Sequence, residues 1–354
     1  MKKTSSVVAA FLFASTAMVT AGGIDRSGQS VDIIFEDGSY AEISFGFVNP
    51  NISGEGPLGN ATGDIAPAYT LFSGGYKTDF SDSFSAAVIF DQPFGANVEY
   101  PVGSIHGTTF ADLASNAVTL MVSYDISDRF TVYGGAVMQQ LSADAYVFAA
   151  STYTVQASAA TGYGYVAGAA FQIPDIALRV ALTYHSEITT NHDTVEDFGG
   201  SNIYSVTEVT TPQSINLEFQ TGINPKTLIF GSARWVNWSA FELAPANYPA
   251  PLGPLVSYDN DTITYSLGVG RKLSDSLSAA ITIGYEASLG GDATVLAPTD
   301  GYLSLGGGLT YTVGNAKITA GAKYLWLGDA SAPAVGLFTD NTALAFGVSV
   351  SLAM

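Results

Sequence analysis

Apolar residues alternate with small or polar residues along most of the chain. In the last stretch one parity holds Leu344, Phe346, Val348, Val350 and Leu352, and the other holds Ala345, Gly347, Ser349, Ser351 and Ala353. A period of two residues indicates a β-strand with two different faces. Fourteen such stretches run from Tyr40 to Met354. The apolar parity is uninterrupted for about ten residues in each, which is enough to cross a bilayer at a tilt. The pattern predicts an all-β fold, a 14-stranded antiparallel transmembrane β-barrel.

The composition favours a lipid-facing wall over a soluble surface. Only 12% of the residues are charged and 47% are hydrophobic, whereas soluble domains carry about 25% charged residues. Beyond the N-terminus no apolar run reaches about 18 residues, which excludes helical spans and leaves a closed barrel. The formal net charge of -19 argues against nucleic acid as a partner. The chain has no cysteine, so no disulfide or thiolate site is expected.

Three regions are predicted along the chain. Residues 1–21 carry two lysines and then an apolar run, which is typical of a secretory signal cleaved near Ala21. Residues 22–38 form a short N-terminal hatch, and residues 39–354 form the barrel. The candidate plug residues of the hatch are Ile33, Ile34 and Phe35.

Short and long connections alternate between the predicted strands. Gly, Asn, Asp and Pro mark six tight turns. The seven long connections lie at roughly 49–67, 92–114, 141–157, 187–211, 239–260, 288–300 and 327–341. Transmembrane barrels keep their short turns on the periplasmic side, so both termini are predicted to face the periplasm.

Charged residues indicate which parity faces the lumen. In the thirteenth strand Lys317 and Lys323 share one parity, and a lysine facing lipid costs about 2–4 kcal/mol near the midplane. In the seventh strand the same argument places Arg179, His185 and Glu187 in the lumen. Aromatic residues near strand ends fit either a belt at head-group level or ligand stacking. They are Tyr184, Tyr285, Tyr324 and Trp326.

The ninth strand combines a cation with apolar side chains. Arg234 has to face the lumen, and its parity includes Phe230, Val236 and Trp238. An apolar interior beside a cation suits an amphipathic acid. These four residues and Lys323 are therefore the candidate ligand-binding residues, with Arg234 and Lys323 pairing the head group. The alternative is that they only fill the inside of a narrow barrel.

Four short motifs occur in order along this frame. They are NISG at 51–54, DQPFGA at 91–96, ALTYHSE at 181–187 and WVNWSAF at 235–241. The third is similar to an ALTYRSE stretch, and the fourth to a W-S-x-F strand end, of the FadL-type long-chain fatty-acid transporters of the bacterial outer membrane. That family also includes aromatic-hydrocarbon uptake proteins, and the resemblance runs from Ser39 to the C-terminus.

The resemblance implies a 14-stranded barrel plugged by an N-terminal hatch, with external loops that capture a hydrophobic ligand and an internal site that holds it. It also implies a kinked third strand that opens the wall sideways. The matching residues are Gln92, Pro93, Phe94 and Gly95. Pro cannot donate to the ladder and Gly weakens it, although the same residues also suit an ordinary loop. External capture is expected at Tyr146, Phe148 and Tyr153.

Three features depart from the family pattern. The hatch, residues 22–38, is much shorter than usual and lacks an Asn-Pro-Ala motif. The connection at 141–157 is also short. The chain ends in Met354, where barrel proteins usually end in an aromatic residue that is recognised during assembly.

The predicted function is passive transport of hydrophobic molecules, foremost long-chain fatty acids, across the outer membrane of a Gram-negative bacterium. The alternatives are a general diffusion porin and an aromatic-hydrocarbon uptake channel. An enzyme is not expected, because His106, His185 and His192 have no nucleophile motif beside them. The expected partners are the hydrophobic ligand, outer-membrane lipids and the barrel assembly machinery, without a metal or other cofactor.

Overall fold

The chain closes into a single β-barrel. The computed structural model describes residues 24–56, 58–104, 106–148, 152–249, 253–291, 293, 298–332 and 335–354. The predicted signal lies outside these residues. Seventeen segments form one sheet in which three strands are each interrupted once, which gives fourteen antiparallel strands. The predicted fold is confirmed.

We number the barrel strands in chain order. They are β1 (Tyr40–Asn51), β2 (Tyr69–Ser81), β3a (Phe84–Asp91), β3b (Gly95–Glu99), β4 (Phe110–Ser127), β5 (Phe130–Phe148), β6 (Thr152–Ile173), β7a (Leu178–His185), β7b (Ile188–Phe198), β8a (Asn202–Thr211), β8b (Ser214–Asn224), β9 (Thr227–Val236), β10 (Thr262–Lys272), β11 (Leu277–Glu286), β12 (Tyr302–Val313), β13 (Ala316–Leu327) and β14 (Thr342–Ala353). β1 closes the barrel by pairing with β14 along its whole length and with β2 on its other side.

Shorter elements lie outside the wall ladder. One small sheet joins Gly54–Glu55, Ala330–Ala332 and Gly336–Phe338, and Glu242–Leu243 pairs with Val256–Ser257. The 3-10 helices are Asp32–Phe35, Pro174–Ile176 and Trp238–Ala240. Within the described ranges, no helix has both the length and the apolarity needed to span a membrane.

The two faces of the wall differ as the parity predicts. Outward side chains are large and apolar, and Leu267 on β10 and Ile281 on β11 are 46% and 64% exposed. Inward positions are small, polar or charged, and Lys323 lines a cavity inside the barrel together with Arg179 and Arg234. The exposed apolar face of the wall is therefore the face that contacts lipid.

Leu267→Arg tests the lipid-facing assignment. Leu267 lies midway along β10 and points outward, so the variant should lose about 2–4 kcal/mol of folding free energy in lipid vesicles. Urea unfolding followed by tryptophan fluorescence measures the loss. The matched control is Leu273→Arg in the turn after β10, where the same change is expected to cost about 0–1 kcal/mol. Equal losses at both positions would contradict the assignment.

Strands β4 to β8 extend well beyond the bilayer, which corrects two sequence predictions. The connections at 141–157 and 187–211 were predicted as long loops. Residues 141–148 and 152–157 belong instead to the end of the β5–β6 hairpin, and residues 187–211 to the end of the β7b–β8a hairpin. β6 alone has 22 residues, whereas a membrane-spanning strand needs about 9–11. The pattern missed the β7b–β8a hairpin because its inward residues are mostly polar and buried. On β7b they are Thr190, His192, Thr194 and Glu196.

A break between β7a and β7b corrects a third prediction. The Ser186 hydroxyl accepts a hydrogen bond from the Tyr165 amide, at 2.9 Å, and the Ser186 amide donates to the Tyr165 carbonyl at 3.0 Å. The strand changes parity at this point: His185 is buried, and so is Ile188 three residues later. Glu187, predicted to face the lumen, is therefore exposed.

The N-terminal segment, residues 24–38, lies inside the barrel. Ile34 is buried among residues of β3a to β7, and Ile33 and Phe35 pack against the same cluster. The Phe35 ring meets the Tyr133 ring edge-on at 5.5 Å, and the Arg179 guanidinium lies 4.3 Å above it. The three candidate plug residues are thus brought together in the lumen.

Candidate functional site

The third strand breaks at the residues predicted to kink it. β3a ends at Asp91, and β3b begins at Gly95. β2 pairs with β3a only as far as Gly74, which lies opposite Phe90. From Tyr69 to Ser73, β2 has a ladder partner on the β1 side only. The Phe72 amide donates instead to the Gln92 side-chain oxygen at 2.9 Å. The wall is therefore open between β2 and β3b.

We call this opening the wall gap. It encloses about 560 Å³. Its lining includes Arg26, Phe47, Tyr69, Thr70, Asn97 and Ala114. The Arg26 guanidinium stacks 3.9 Å above the Tyr69 ring and donates to the Asn97 side chain at 2.7 Å. The N-terminal segment thus reaches into the gap from inside.

The first residues of the N-terminal segment pair with the broken strand in place of β2. The Gly95 amide donates to the Ile24 carbonyl at 2.8 Å, and the Arg26 amide donates to the Pro93 carbonyl at 2.7 Å. A Cβ on Gly95 would lie 2.7 Å from the Arg26 guanidinium. Glycine at this position therefore leaves room for the Arg26 guanidinium.

Arg234 anchors the N-terminal segment. Its Nε donates to Asp25 Oδ2 at 2.6 Å in a pair that is almost fully buried. Its Nη atoms donate to Gln29, Asn216 and Ser214 at 2.8 to 3.0 Å. The sequence predicted that Arg234 would pair a ligand head group. The structure gives its guanidinium four protein acceptors, and the ligand role stays a prediction.

Two further contacts hold the N-terminal segment. The Ser27 hydroxyl donates to Asp91 at 2.6 Å, and Arg179 pairs with Asp32 at 2.7 Å. They attach the segment to β3a and β7a. With the Arg234 pair, they fasten it to three parts of the wall.

A luminal cavity of about 150 Å³ lies beside this segment. Phe230, Leu228, Glu218 and Lys323 are among its lining residues. Lys323 makes no ion pair in the described part of the chain, where the pairs are Lys77–Asp79, Arg179–Asp32, Arg234–Asp25 and Lys272–Asp275. Of the predicted ligand residues, Phe230, Arg234 and Lys323 therefore share this cavity.

A second, apolar cluster lies in the outer part of the lumen. Val236 and Trp238 are buried in it. The Trp238 ring lies 6.0 Å from Phe94, 5.8 Å from Phe241 and 5.2 Å from Tyr258. Phe94 of the strand break and Trp238 of the ninth-strand motif thus meet directly. The predicted ligand residues are divided between this cluster and the luminal cavity.

The connection between β9 and β10 supplies the residues of this cluster that the sequence reading missed. Phe241, Leu243, Leu255 and Val256 are buried in it. With Ile24, Ala111 and Tyr258 they line an outer cavity of about 30 Å³. The available signal was the apolar content of residues 241–258, which is unusual for an exposed loop.

The predicted capture residues do not form one exposed surface. The Tyr146 ring stacks on Phe110 with their centroids 6.3 Å apart. Tyr153 is only 3% exposed, and its hydroxyl donates to Glu196 at 2.7 Å. Strands β4 to β8 continue beyond the bilayer, and we call this part of the barrel the wall extension. Tyr153 points into it because β6 begins at Thr152. The side chain of Phe148 lies outside the described residues.

Asp261 fixes the start of the β9–β10 connection. It accepts hydrogen bonds from the Ser239 amide and hydroxyl, the Asn237 side chain and the Trp235 indole, at 2.6 to 3.2 Å. Partial burial raises the carboxyl pKa, but these hydrogen bonds outweigh it and hold the pKa below its usual value. They keep the short helix that carries Trp238 in place.

The hydrogen-bonded Asp261 predicts a pH dependence of this connection. A lowered pKa in the folded state stabilises the connection above the unfolded value, about 3.9, and this stabilisation is lost as the pH falls through the folded value. Amide exchange at Ser239 should therefore accelerate at the acidic end, below about pH 4. Asp261→Asn should exchange faster at neutral pH and lose the acid step. An identical acid step in the variant would assign it to another group.

Comparisons with known proteins give one family and several similar folds. A family model described as outer membrane protein transport protein (OMPP1/FadL/TodX) matches residues 13–351. No curated protein sequence matches the chain. A crystal structure of a Pseudomonas aeruginosa FadL homologue is 15% identical, with a TM-score of 0.72, and covers 90% of this chain and 91% of its own.

Two toluene transporters are also similar in structure. Ralstonia pickettii TbuX is 12% identical with a TM-score of 0.66, covering 90% of both chains. Pseudomonas putida TodX is 12% identical with a TM-score of 0.67, covering 90% of this chain and 91% of its own. At these identities the likeness concerns the fold.

Proposed function

Because the chain belongs to the OMPP1/FadL/TodX family of outer-membrane transport proteins, we propose that it moves hydrophobic molecules passively from its outer apolar cluster through the wall gap into the membrane. Long-chain fatty acids are the ligands that the sequence favours. The break between β2 and β3b carries the proposal. A closed ladder would confine a ligand to the lumen.

The outer cavity and the wall gap adjoin each other. Ala111 and Leu113 of β4 line both. A ligand in the apolar cluster therefore needs to pass only β3b and residues 24–26 to reach the outside of the barrel. The route along the barrel axis is longer and passes the ion pairs of Arg234 and Arg179. Apolar solutes are poorly solvated there, so the sideways route is favoured.

The outer cavity is too small for a ligand in this conformation. About 30 Å³ has room for only one or two water molecules. The β9–β10 connection fills the remaining space with Phe241, Leu243 and Val256. Ligand entry therefore displaces part of this connection. The apolar residues that it exposes exchange their contacts for contacts with the ligand, which limits the cost.

Fatty acids and aromatic hydrocarbons make different demands on this site. A fatty-acid carboxylate needs a cation, and Lys323 in the luminal cavity is the candidate because Arg234 is bound to Asp25. An aromatic hydrocarbon needs only apolar contacts such as the rings around Trp238.

We also propose that the barrel assembly machinery inserts the protein into the outer membrane after the signal is cleaved near Ala21.

Uptake assays test the proposed transport. Cells without their own transporters should accumulate labelled oleate or labelled toluene faster when they express this chain. No gain for either solute would contradict the proposal. Planar-bilayer recording separates the porin alternative, since a general pore gives a large ohmic current. The N-terminal segment across the lumen predicts a small one.

A further inference from the structure

Two hydrogen-bond donors in the apolar cluster have no acceptor in the described part of the chain. The first is Trp238 Nε1, on a side chain that is fully buried. The second is the Tyr258 hydroxyl, which is also shielded from solvent. Buried polar groups are almost always paired, so an unpaired donor needs an explanation. Two unpaired donors on neighbouring rings point to a common cause.

One donor lines the outer cavity, and the other lies on a ring packed against that lining. Tyr258 and Phe241 line the outer cavity. The Trp238 ring contacts both of theirs, at centroid distances of 5.2 and 5.8 Å. A ligand that displaces Leu243 and Val256 from this cavity lies against the rings of Phe241 and Tyr258. It therefore comes close to both rings that carry an unpaired donor.

We propose that this cluster binds an uncharged apolar molecule that carries one carbonyl or hydroxyl oxygen, and that Trp238 and Tyr258 donate hydrogen bonds to that oxygen. The proposal rests on the transport function and names the ligand class of the same site. One oxygen has two lone pairs and accepts from both donors. Burial raises the pKa of Tyr258, so its hydroxyl remains a donor at neutral pH.

The charges around the cluster disfavour a ligand that carries an ionised carboxylate. No Lys, Arg or His is among the described residues that line the outer cavity, and two that do, Asp112 and Asp144, are acidic. The nearby Arg234 is bound to Asp25 and Gln29. An unpaired carboxylate would be buried there at a much larger cost than a neutral carbonyl.

A pure hydrocarbon also fits less well, because it carries no acceptor for the two donors. It fills the apolar volume but leaves both donors unpaired, as they are without it. A ketone or an alcohol adds a hydrogen bond to the same apolar contacts. The expected order of affinity is therefore neutral oxygenated ligand, then hydrocarbon, with the carboxylate last.

Three ligands of equal chain length test this order on the purified protein in lipid nanodiscs. They are decane, 2-decanone and decanoate, measured by calorimetry at about pH 8, where the acid is ionised, with empty nanodiscs subtracted. We expect 2-decanone to bind about tenfold more tightly than decane, the gain of one net hydrogen bond. Decanoate should bind more weakly than 2-decanone.

Variants that remove one donor each locate the effect. Trp238→Phe and Tyr258→Phe keep an aromatic ring and should each reduce the preference for 2-decanone over decane several-fold, while decane binding changes little. Tyr258→Phe removes only a hydroxyl, so it keeps the test valid if Trp238→Phe fails to fold. The matched control is Trp326→Phe on the lipid-facing side of β13, which should keep the full preference.

The outcomes separate the ligand class from the transport function. Equal affinity for decane and 2-decanone, tighter binding of decanoate, or an unchanged preference in both donor variants would each overturn the ligand class. In those cases decane or decanoate still binds, and the transport function stands. If none of the three ligands binds, the ligand class and the proposed function are both rejected.

Discussion

Uptake of hydrophobic solutes should fall about tenfold or more when a bulky thiol reagent is attached at Ala114→Cys. Ala114 lies opposite Gly95 and lines the wall gap. A large group there fills the space that a solute has to cross. The chain has no cysteine of its own, so the reagent reacts only at the new thiol, after folding and membrane insertion. The rate of labelled oleate or toluene uptake is measured before and after labelling.

The matched control for this block is Ala322→Cys. Ala322 is an exposed residue on the lipid-facing side of β13, away from the gap. The same reagent should leave its uptake unchanged. Thr70→Cys, on the β2 side of the gap, should behave like Ala114→Cys. Undiminished uptake by both labelled gap variants would mean that solutes do not leave by this route.

Removal of the Asp25 carboxylate should release the N-terminal segment from the wall. Breaking a buried ion pair by deleting one partner costs about 3–5 kcal/mol, and Asp25 and Arg234 are 3% and 5% exposed. Amide exchange across residues 24–38 should accelerate roughly a hundredfold or more in Asp25→Ala. Single-channel conductance should rise, because the segment no longer crosses the lumen.

An exposed ion pair serves as the control for this variant. Lys272 and Asp275 lie 3.1 Å apart, and Asp275 is fully exposed. Such pairs contribute little, so Asp275→Ala should change neither exchange nor conductance. If Asp25→Ala also behaves like the wild type, the Ser27 and Arg179 contacts hold the segment without the Arg234 pair.

The alternation of apolar and polar residues predicted the strands of the barrel, because one face of each strand has to be compatible with lipid. Lys323 and Arg234 could be placed in the lumen from sequence alone, since a charge has only one tolerable side in a membrane. The strand break could be placed as well. Pro93 lacks the amide that a ladder needs, and the ladder between β2 and β3a stops at Phe90, two residues before Gln92.

The wall extension could not be predicted in the same way. Above the membrane neither face has to be apolar, so Thr190, His192 and Glu196 alternate inward with no hydrophobic signal. The partner of Arg234 was equally hidden. Asp25 is 209 positions away along the chain, and only the folded N-terminal segment brings the two together. The sequence therefore indicated which charged residues lie in the lumen, but not which residues they pair with.

The open edge of β2 has a consequence for the depth of the barrel in its bilayer. From Tyr69 to Ser73 the peptide groups facing β3b have no ladder partner. The Phe72 amide donates to Gln92, but in hydrocarbon each of the others would cost several kcal/mol. That edge therefore lies where water and the polar ends of the lipids can reach it. A molecule that leaves there arrives at the leaflet boundary and still has to insert between packed acyl chains. Delivery then depends on the fluidity of the outer leaflet as well as on the protein.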